Sequence, residues 1–524
     1  MNTFERLDLI IDKGTFVPYE DDIDSGRVYV DEAYQAKIER HRARYGLKEA
    51  VLTGRADICG HYVAIGIMDA RFLRASMGYY VGEKITRLFE HATKERLSVI
   101  LFCASGGARV QEGIISLLQM QKTSQACARH GKEGLLYISV LTNPTFGGVT
   151  ASFATLADIV IAEENAMIGF AGQRVIEQTT GEKLPEGFQT AHFQKEQGLV
   201  DEVVSDKDMK EYIARLLTAF DSTRGKKSGE PVGGALNNSN EDTIKEAIQE
   251  NPQKAITRTK ADDAKEAWKN VRLARKITRP TTLEYINILF DDFTLLHGDR
   301  ISGDDTAVVG GIGFFNGRPV MAIGQQKGKK DIKEAIYRNW GMVSPAGHHK
   351  AMRLMRLAEK FRIPLVFFVD TMGAACGKEA EEMGQADTIA RMLAVASELK
   401  TLTLSIVVGE AGSGGALAFS VANEVWMLEH SVYSVITPEG YASIVWKDIE
   451  KKSEAADAMK MCASQLYDNE VIDRIIPEPE PVTADNLPKI CKQLSKELEN
   501  FFDKYSNKSI EEIVERRYER FRRF

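Results

Sequence analysis

Two apolar runs of this chain end in the same way, and that repetition constrains the fold more than any other feature. Leu135 to Leu141 leads into Thr142-Asn-Pro-Thr-Phe-Gly147-Gly148-Val-Thr-Ala-Ser-Phe153, and Leu402 to Val408 leads into Gly409-Glu-Ala-Gly412-Ser-Gly414-Gly415-Ala-Leu-Ala-Phe419. The second stretch reads as a buried strand, a glycine turn and the start of a buried helix, and the first resembles it. Such a turn aims free backbone N–H groups and a positive helix end at one point, and the missing Cβ atoms let a ligand come close. The chemistry it suits is the holding of a negative oxygen.

The repetition has a register. Leu97-Ser-Val-Ile-Leu-Phe-Cys-Ala-Ser-Gly-Gly107 aligns with Ile363-Pro-Leu-Val-Phe-Phe-Val-Asp-Thr-Met-Gly373, and Gly147-Gly148 then falls on Gly414-Gly415 with a slip of a single position. Upstream, Gly54 to Gly60, which contains the Cys59-Gly60 turn between two β runs, matches Gly311 to Gly317, with an insertion after the second hairpin. Two copies of one α/β unit is the economical reading.

Between the copies, residues 221–240 are rich in Gly, Ser, Asn and charge, the composition of a linker. The expected domains are 1–220, a linker at 221–242, and 243–524 with a charged helical extension in front and a helical tail behind. A chain of 524 residues with 44% hydrophobic content can fill such cores. A net charge of -7 argues against a nucleic-acid partner. Six scattered cysteines without a Cys-x-x-Cys, no signal peptide and no apolar run of about 18 residues point to a soluble protein of the reducing cytoplasm, off the membrane. The basic end, Arg516 to Arg523, reads first as a solvated face.

A turn that holds negative oxygen serves phosphate binding, a serine elbow or an oxyanion hole. No Gly-Lys-Ser/Thr follows, so a phosphate loop is unsupported. Ala411-Gly-Ser413-Gly-Gly415 is a relaxed serine elbow, with His430 the only histidine downstream of it, so a serine hydrolase stays open, as does a plain structural turn. Glu410 reads as a helix-start carboxylate before a base, His348-His349 as neighbours pointing apart, Cys376 as a small neutral filler, and Met352 and Met355 as core.

At these residues the chain resembles the carboxyltransferase component of bacterial acetyl-CoA carboxylase, with its β and α subunits fused. Phe102-Cys-Ala-Ser-Gly-Gly-Ala-Arg-Val-Gln-Glu112, Tyr137 to Thr142 and Ile168 to Gln178 are similar to the β subunit; Arg338-Asn-Trp-Gly-Met342, Gly412 to Ala418, Tyr433 to Gly440 and Ala442-Ser-Ile-Val-Trp446 are similar to the α subunit. The resemblance implies an α/β fold of two tandem crotonase/ClpP-like (β-β-α superhelix) domains. It implies transfer of a carboxyl group from carboxybiotin, carried on a separate biotin carboxyl carrier protein and loaded by a biotin carboxylase, to an acyl-CoA, acetyl-CoA giving malonyl-CoA for fatty acid synthesis. Another acyl-CoA, or the decarboxylase direction, is the alternative within the family. A homodimer or larger homo-oligomer is expected.

The resemblance also assigns residues. Gly147 with Gly148 and Gly414 with Gly415 become two oxyanion holes, one for the biotin ureido oxygen and one for the thioester, the first leaning to biotin. Freed biotin can itself take the α-proton, so no side-chain base is required. Ser105, Gly106, Gly107, Ala108 and Arg109, with Gly373, Ala374 and Gly412, would line the acyl-CoA path, Arg109 meeting either phosphate or a structural carboxylate. The zinc ribbon that usually opens the β subunit has no matching residues, so no metal is expected. Departures at Met372, Ala375, Cys376 and Tyr441, and at Gln173, Val343 and Ala346, bear on which acyl group is taken.

Overall fold

The computed structural model describes residues 1–221 and 263–524, apart from 24–27, 29, 30, 182 and 330. All but the first residue of the expected linker at 221–242, and the start of the charged extension after it, lie outside the described residues.

Each half is built on an eight-stranded sheet, and the two sheets repeat one order. In the first, β1 (Val17–Pro18), β2 (Val51–Ile58), β3 (His61–Met68), β4 (Ser98–Gly106), β5 (Tyr137–Phe146), β6 (Ile159–Glu163) and β8 (Glu202–Val204) lie side by side, while β7 (Ile168–Gly169) pairs with the far end of β5. In the second, β9 (Asp291–Leu295), β10 (Val308–Phe315), β11 (Arg318–Gln325), β12 (Leu365–Thr371), β13 (Thr403–Gly412), β14 (Glu424–Leu428) and β16 (Arg474–Ile476) follow the same path, with β15 (Val432–Ser434) on β13. Both begin with antiparallel hairpins, β2–β3 and β10–β11, and continue parallel. The hairpins turn through Cys59-Gly60 (φ 50 and 80) and Asn316-Gly317 (φ 49 and 76), both in the left-handed region that a tight two-residue turn needs. The α/β class and the tandem repeat of β-β-α units are therefore the architecture of the chain.

The central strands are continuous apolar runs because both faces are covered. Val99 and Leu101 of β4 enter one core while Ile100 and Phe102 enter the core behind it; on β12, Phe367 and Val369 stand opposite Val366 and Phe368. The core between the sheets spans both halves. Helices α1 (Tyr79–Glu95) and α2 (Ile114–Lys132) of the first half, with α3 (Pro345–Phe361), α4 (Lys378–Glu382), α5 (Gln385–Glu398) and α6 (Ser413–Leu417) of the second, frame the boundary. Leu117 and Met120 of α2 share its apolar cluster with Ile389 and Leu393 of α5 and with Ala416 and Leu417 of α6.

Two elements differ from expectation. The helical extension expected in front of the second half gives way to a strand before the hairpin: a helix covers Thr282–Leu289, and β9 begins at Asp291 to pair with β10. The basic tail is not a solvated face. In α7 (Ile510–Arg522), Arg517 is fully buried and donates to the carbonyls of Ala396, Leu399 and Thr401, while Arg522 reaches Glu83 and Glu90 of α1. Lys122 and Gln119 of α2 donate to the main-chain oxygen of Phe524 at 2.8 and 3.1 Å. Arg517 anchors the tail within the second half, and Arg522 ties it to the first.

Candidate active site: two glycine turns against one methionine

Each turn stands where a parallel strand runs into the boundary between the halves. After β5 the chain passes Gly147 (φ 71) into a short turn; after β13 it passes Ser413 (φ 52) into α6. Both are packed backbone on backbone against the loop that follows the neighbouring strand. A methyl group on Gly147 would lie 3.0 Å from the Gly107 Cα, one on Gly415 would lie 2.4 Å from the Gly373 carbonyl carbon, and one on Gly412 would lie 2.1 Å from the Met372 oxygen. Ser105 to Ala108 thus borders the first turn, and Gly373 and Ala374 border the second. These loops repeat in detail: Ser105 Oγ accepts the Gly107 N–H at 3.0 Å, and Thr371 Oγ1 accepts the Gly373 N–H at 3.2 Å.

Gly148 and Gly414 meet at Met120. A methyl group on Gly148 would come within 3.2 Å of Met120 Cγ and 3.3 Å of its sulfur, and one on Gly414 within 3.3 Å of its Cε. One side chain separates the turns of the two halves. The N–H groups of Gly414 and Gly415 lie in the first turn of α6, where no carbonyl four residues back accepts them. Gly148 has no N–H acceptor among the described residues. Gly147 differs from expectation, because its N–H donates to the Phe170 carbonyl at 3.0 Å. Its contribution is the left-handed bend, and the free donor of that pair is Gly148. Behind the second turn, Gln325 donates to the Gly415 carbonyl at 2.8 Å and holds the start of α6.

Of the two partners open to Arg109, the structural carboxylate is the one found. Arg109 is 3% exposed and forks onto Glu49 at 2.6 and 2.5 Å, with Glu112 at 3.5 Å, so its charge faces inward. The exposed cation beside this loop is Arg74, whose side chain covers Gly106; a methyl group there would meet its Nε at 2.9 Å. Arg74 escaped notice in the sequence. Its left-handed φ of 57 repeats at Trp340 (φ 49), inside Arg338-Asn-Trp-Gly-Met342, and this pairing of backbone conformations is what marks the repeat there.

The serine-elbow reading lacks its base. His430 Nδ1 is engaged by Asn270 at 3.1 Å, and no hydrogen bond joins His430 to Ser413 among the described residues. Glu410 accepts from Arg275 at 2.7 and 2.9 Å and serves as an ion-pair partner. His348 is buried, which pushes its imidazole down to about 3 and leaves it a neutral core residue. Cys376 is half-buried beside Thr179, and burial pushes its thiol up. Tyr441 stacks edge-on against Trp446 at 5.4 Å and packs with Val110 and Met459. Among the described residues no His, Cys, Asp and Glu side chains converge into a group of three or more that could hold a metal.

A family model described as acetyl co-enzyme A carboxylase carboxyltransferase-like matches residues 230–524. Over 99% of this chain and 85% of the relative, it is 47% identical to an acetyl-coenzyme A carboxylase carboxyl transferase subunits beta/alpha of Natranaerobius thermophilus. The chain belongs to the acetyl-CoA carboxylase carboxyltransferase family. A second fused beta/alpha carboxyltransferase, from Clostridium tetani, is 43% identical over 100% of this chain and 87% of its own length. The carboxyltransferase subunit alpha of Clostridium acetobutylicum matches 49% of this chain over 93% of its own length, at 49% identity. No helix among the described residues is long and apolar enough to cross a membrane.

Proposed function

We propose that this carboxyltransferase moves a carboxyl group between carboxybiotin on a separate carrier protein and the α-carbon of an acyl-CoA, acetyl-CoA and malonyl-CoA being the pair. The supporting observation is that Gly148 and Gly414 face the same Met120 side chain, to which a methyl group on either would come within 3.2 and 3.3 Å. Two donor sets so placed suit two oxygens that gain charge within one reaction.

The free N–H groups and the absence of Cβ atoms at Gly148 and Gly414 suit the close approach of biotin. When bound, carboxybiotin supplies the carboxyl group and, once free of it, a basic ureido nitrogen. The chain's part is electrostatic. Taking the α-proton from a thioester places negative charge on its oxygen, and a preorganised N–H aimed there is worth about 2.7–4 kcal/mol. Gly148 provides such a donor on one side, and Gly414 and Gly415 on the other. Met120, 3% exposed, keeps water from the space between them. Ser105 to Ala108, Gly373, Ala374 and Gly412 shape the approach of the thioester. A biotin carboxylase supplying the carrier, a cytoplasmic location and a homodimer or larger assembly follow from the same reading.

The test is acetyl-CoA formation from malonyl-CoA in the presence of free biotin. Biotin-dependent turnover is expected. Turnover of a longer malonate thioester but not of malonyl-CoA overturns the acetyl assignment, and no turnover of either overturns the reaction.

A further inference from the structure

The first glycine turn is held in shape by the opposite half of the chain. The Gly147 N–H donates to the Phe170 carbonyl at 3.0 Å, and Thr150 Oγ1 donates to the carbonyls of Gly147 and Gly169 at 2.9 and 2.8 Å. The turn is thereby bolted to the end of β7. Phe170 and Ala171 in turn donate their N–H groups to the Glu381 carboxylate, at 2.9 and 3.1 Å and at 2.7 Å. Glu381 lies on α4 in the second half and is 4% exposed. Gln189 closes the arrangement by donating to the Ala171 carbonyl at 2.7 Å.

Among the described residues no Lys, Arg or His pairs with Glu381. A buried carboxylate held by two backbone amides and the Gln189 side chain, with no cation beside it, is an expensive group, and an apolar residue of similar size at a domain boundary would cost less. Its geometry accounts for its presence. Both amides it accepts belong to the segment whose carbonyl takes the Gly147 N–H, so one carboxylate fixes the bend that leaves Gly148 facing Met120.

We infer that Glu381 is a positioning residue: from the second half it orients the Phe170–Ala171 backbone, and through it the Gly147–Gly148 turn, so that the first oxyanion donor is set only when the two halves are docked. The inference rests on the reading of Gly148 as an oxyanion donor. It makes the α4 segment a determinant of the chemical step and not of acyl-CoA affinity.

Carboxyl transfer from malonyl-CoA to free biotin, measured on the full chain, separates the outcomes. Glu381→Gln keeps the shape and one acceptor oxygen; it should lower kcat about tenfold with KM for malonyl-CoA within about twofold, and Glu381→Ala should lower kcat about a hundredfold. If the two residues act on one turn, Glu381→Gln added to Gly148→Ala should cost less than about threefold more. A raised KM with unchanged kcat, or full additivity with Gly148→Ala, overturns the positioning role. If Gly148→Ala slows the reaction and Glu381→Gln, folded as judged by its melting temperature, does not, the positioning role falls and the oxyanion reading stands. If Gly148→Ala leaves kcat at the wild-type value, the oxyanion reading falls, and the role of Glu381 with it.

Discussion

Gly148 and Gly414, from opposite halves of the chain, are separated by the side chain of Met120, whose Cγ and Cε lie 3.2 and 3.3 Å from where their methyl groups would stand. Met120 thus packs between the two proposed donor sets and borders the space where the reacting oxygens would be held. Replacing it by alanine removes a core side chain at a cost of about 2–5 kcal/mol, and enlarges that space. Met120→Ala is expected to melt earlier and to raise kcat/KM for methylmalonyl-CoA relative to malonyl-CoA by about tenfold, measured by parallel transfer assays to free biotin.

The glycines of the second turn should respond unequally to the same substitution. Gly414→Ala meets only the flexible end of Met120, whereas Gly415→Ala drives a methyl group to 2.4 Å from the Gly373 backbone and Gly412→Ala to 2.1 Å from the Met372 oxygen. The last two require backbone movement, at a cost of about 1–3 kcal/mol. Thermal melts should rank Gly414→Ala nearest the wild type, with the other two clearly lower.

Much of this was legible in the sequence, for a physical reason. Strands covered on both faces must be apolar throughout, so β4, β5, β12 and β13 announce themselves, and left-handed turns need glycine, so Gly147 and the hairpin at Cys59-Gly60 do too. The destination of an N–H or a charge is set by neighbours distant in sequence. Nothing local says that the Gly147 N–H belongs to Phe170, that Arg109 belongs to Glu49, or that Arg517 and Arg522 are tied into the protein. Arg74 was hidden because only the pairing of its strained φ with that of Trp340 marks the repeat there.

Arg109 gives a direct check on that lesson. Its guanidinium and the Glu49 carboxylate are both buried, at 2.5 and 2.6 Å, and leaving Glu49 unpaired costs about 3–5 kcal/mol. Arg109→Ala should therefore lower the melting temperature steeply, and the protein that remains folded should keep its KM for malonyl-CoA.

The tail clamp predicts a pH dependence. Burial alone would raise the Glu83 carboxyl, but Lys122 and Arg522 beside it outweigh burial and hold it down at about 2. A carboxyl with a depressed folded pKa contributes stability above its ordinary value, and that stability is lost as pH falls from about 4.5 toward 2. Arg522 is partly exposed, so its loss is worth about 1 kcal/mol. Arg522→Ala should melt below the wild type at pH 7, with the gap narrowing as the pH drops through that window.

One chain is proposed to carry two oxyanion turns that both act in one carboxyl transfer. Neither Gly148 nor Gly414 has a left-handed φ, so alanine is compatible with both backbones. The most direct measurement is kcat for carboxyl transfer from malonyl-CoA to free biotin in Gly148→Ala, Gly414→Ala and Ser413→Ala. Each glycine variant is predicted to fall about tenfold to a hundredfold while remaining folded, and Ser413→Ala to stay near the wild-type value; full activity in either glycine variant, or loss of activity in Ser413→Ala, would contradict it.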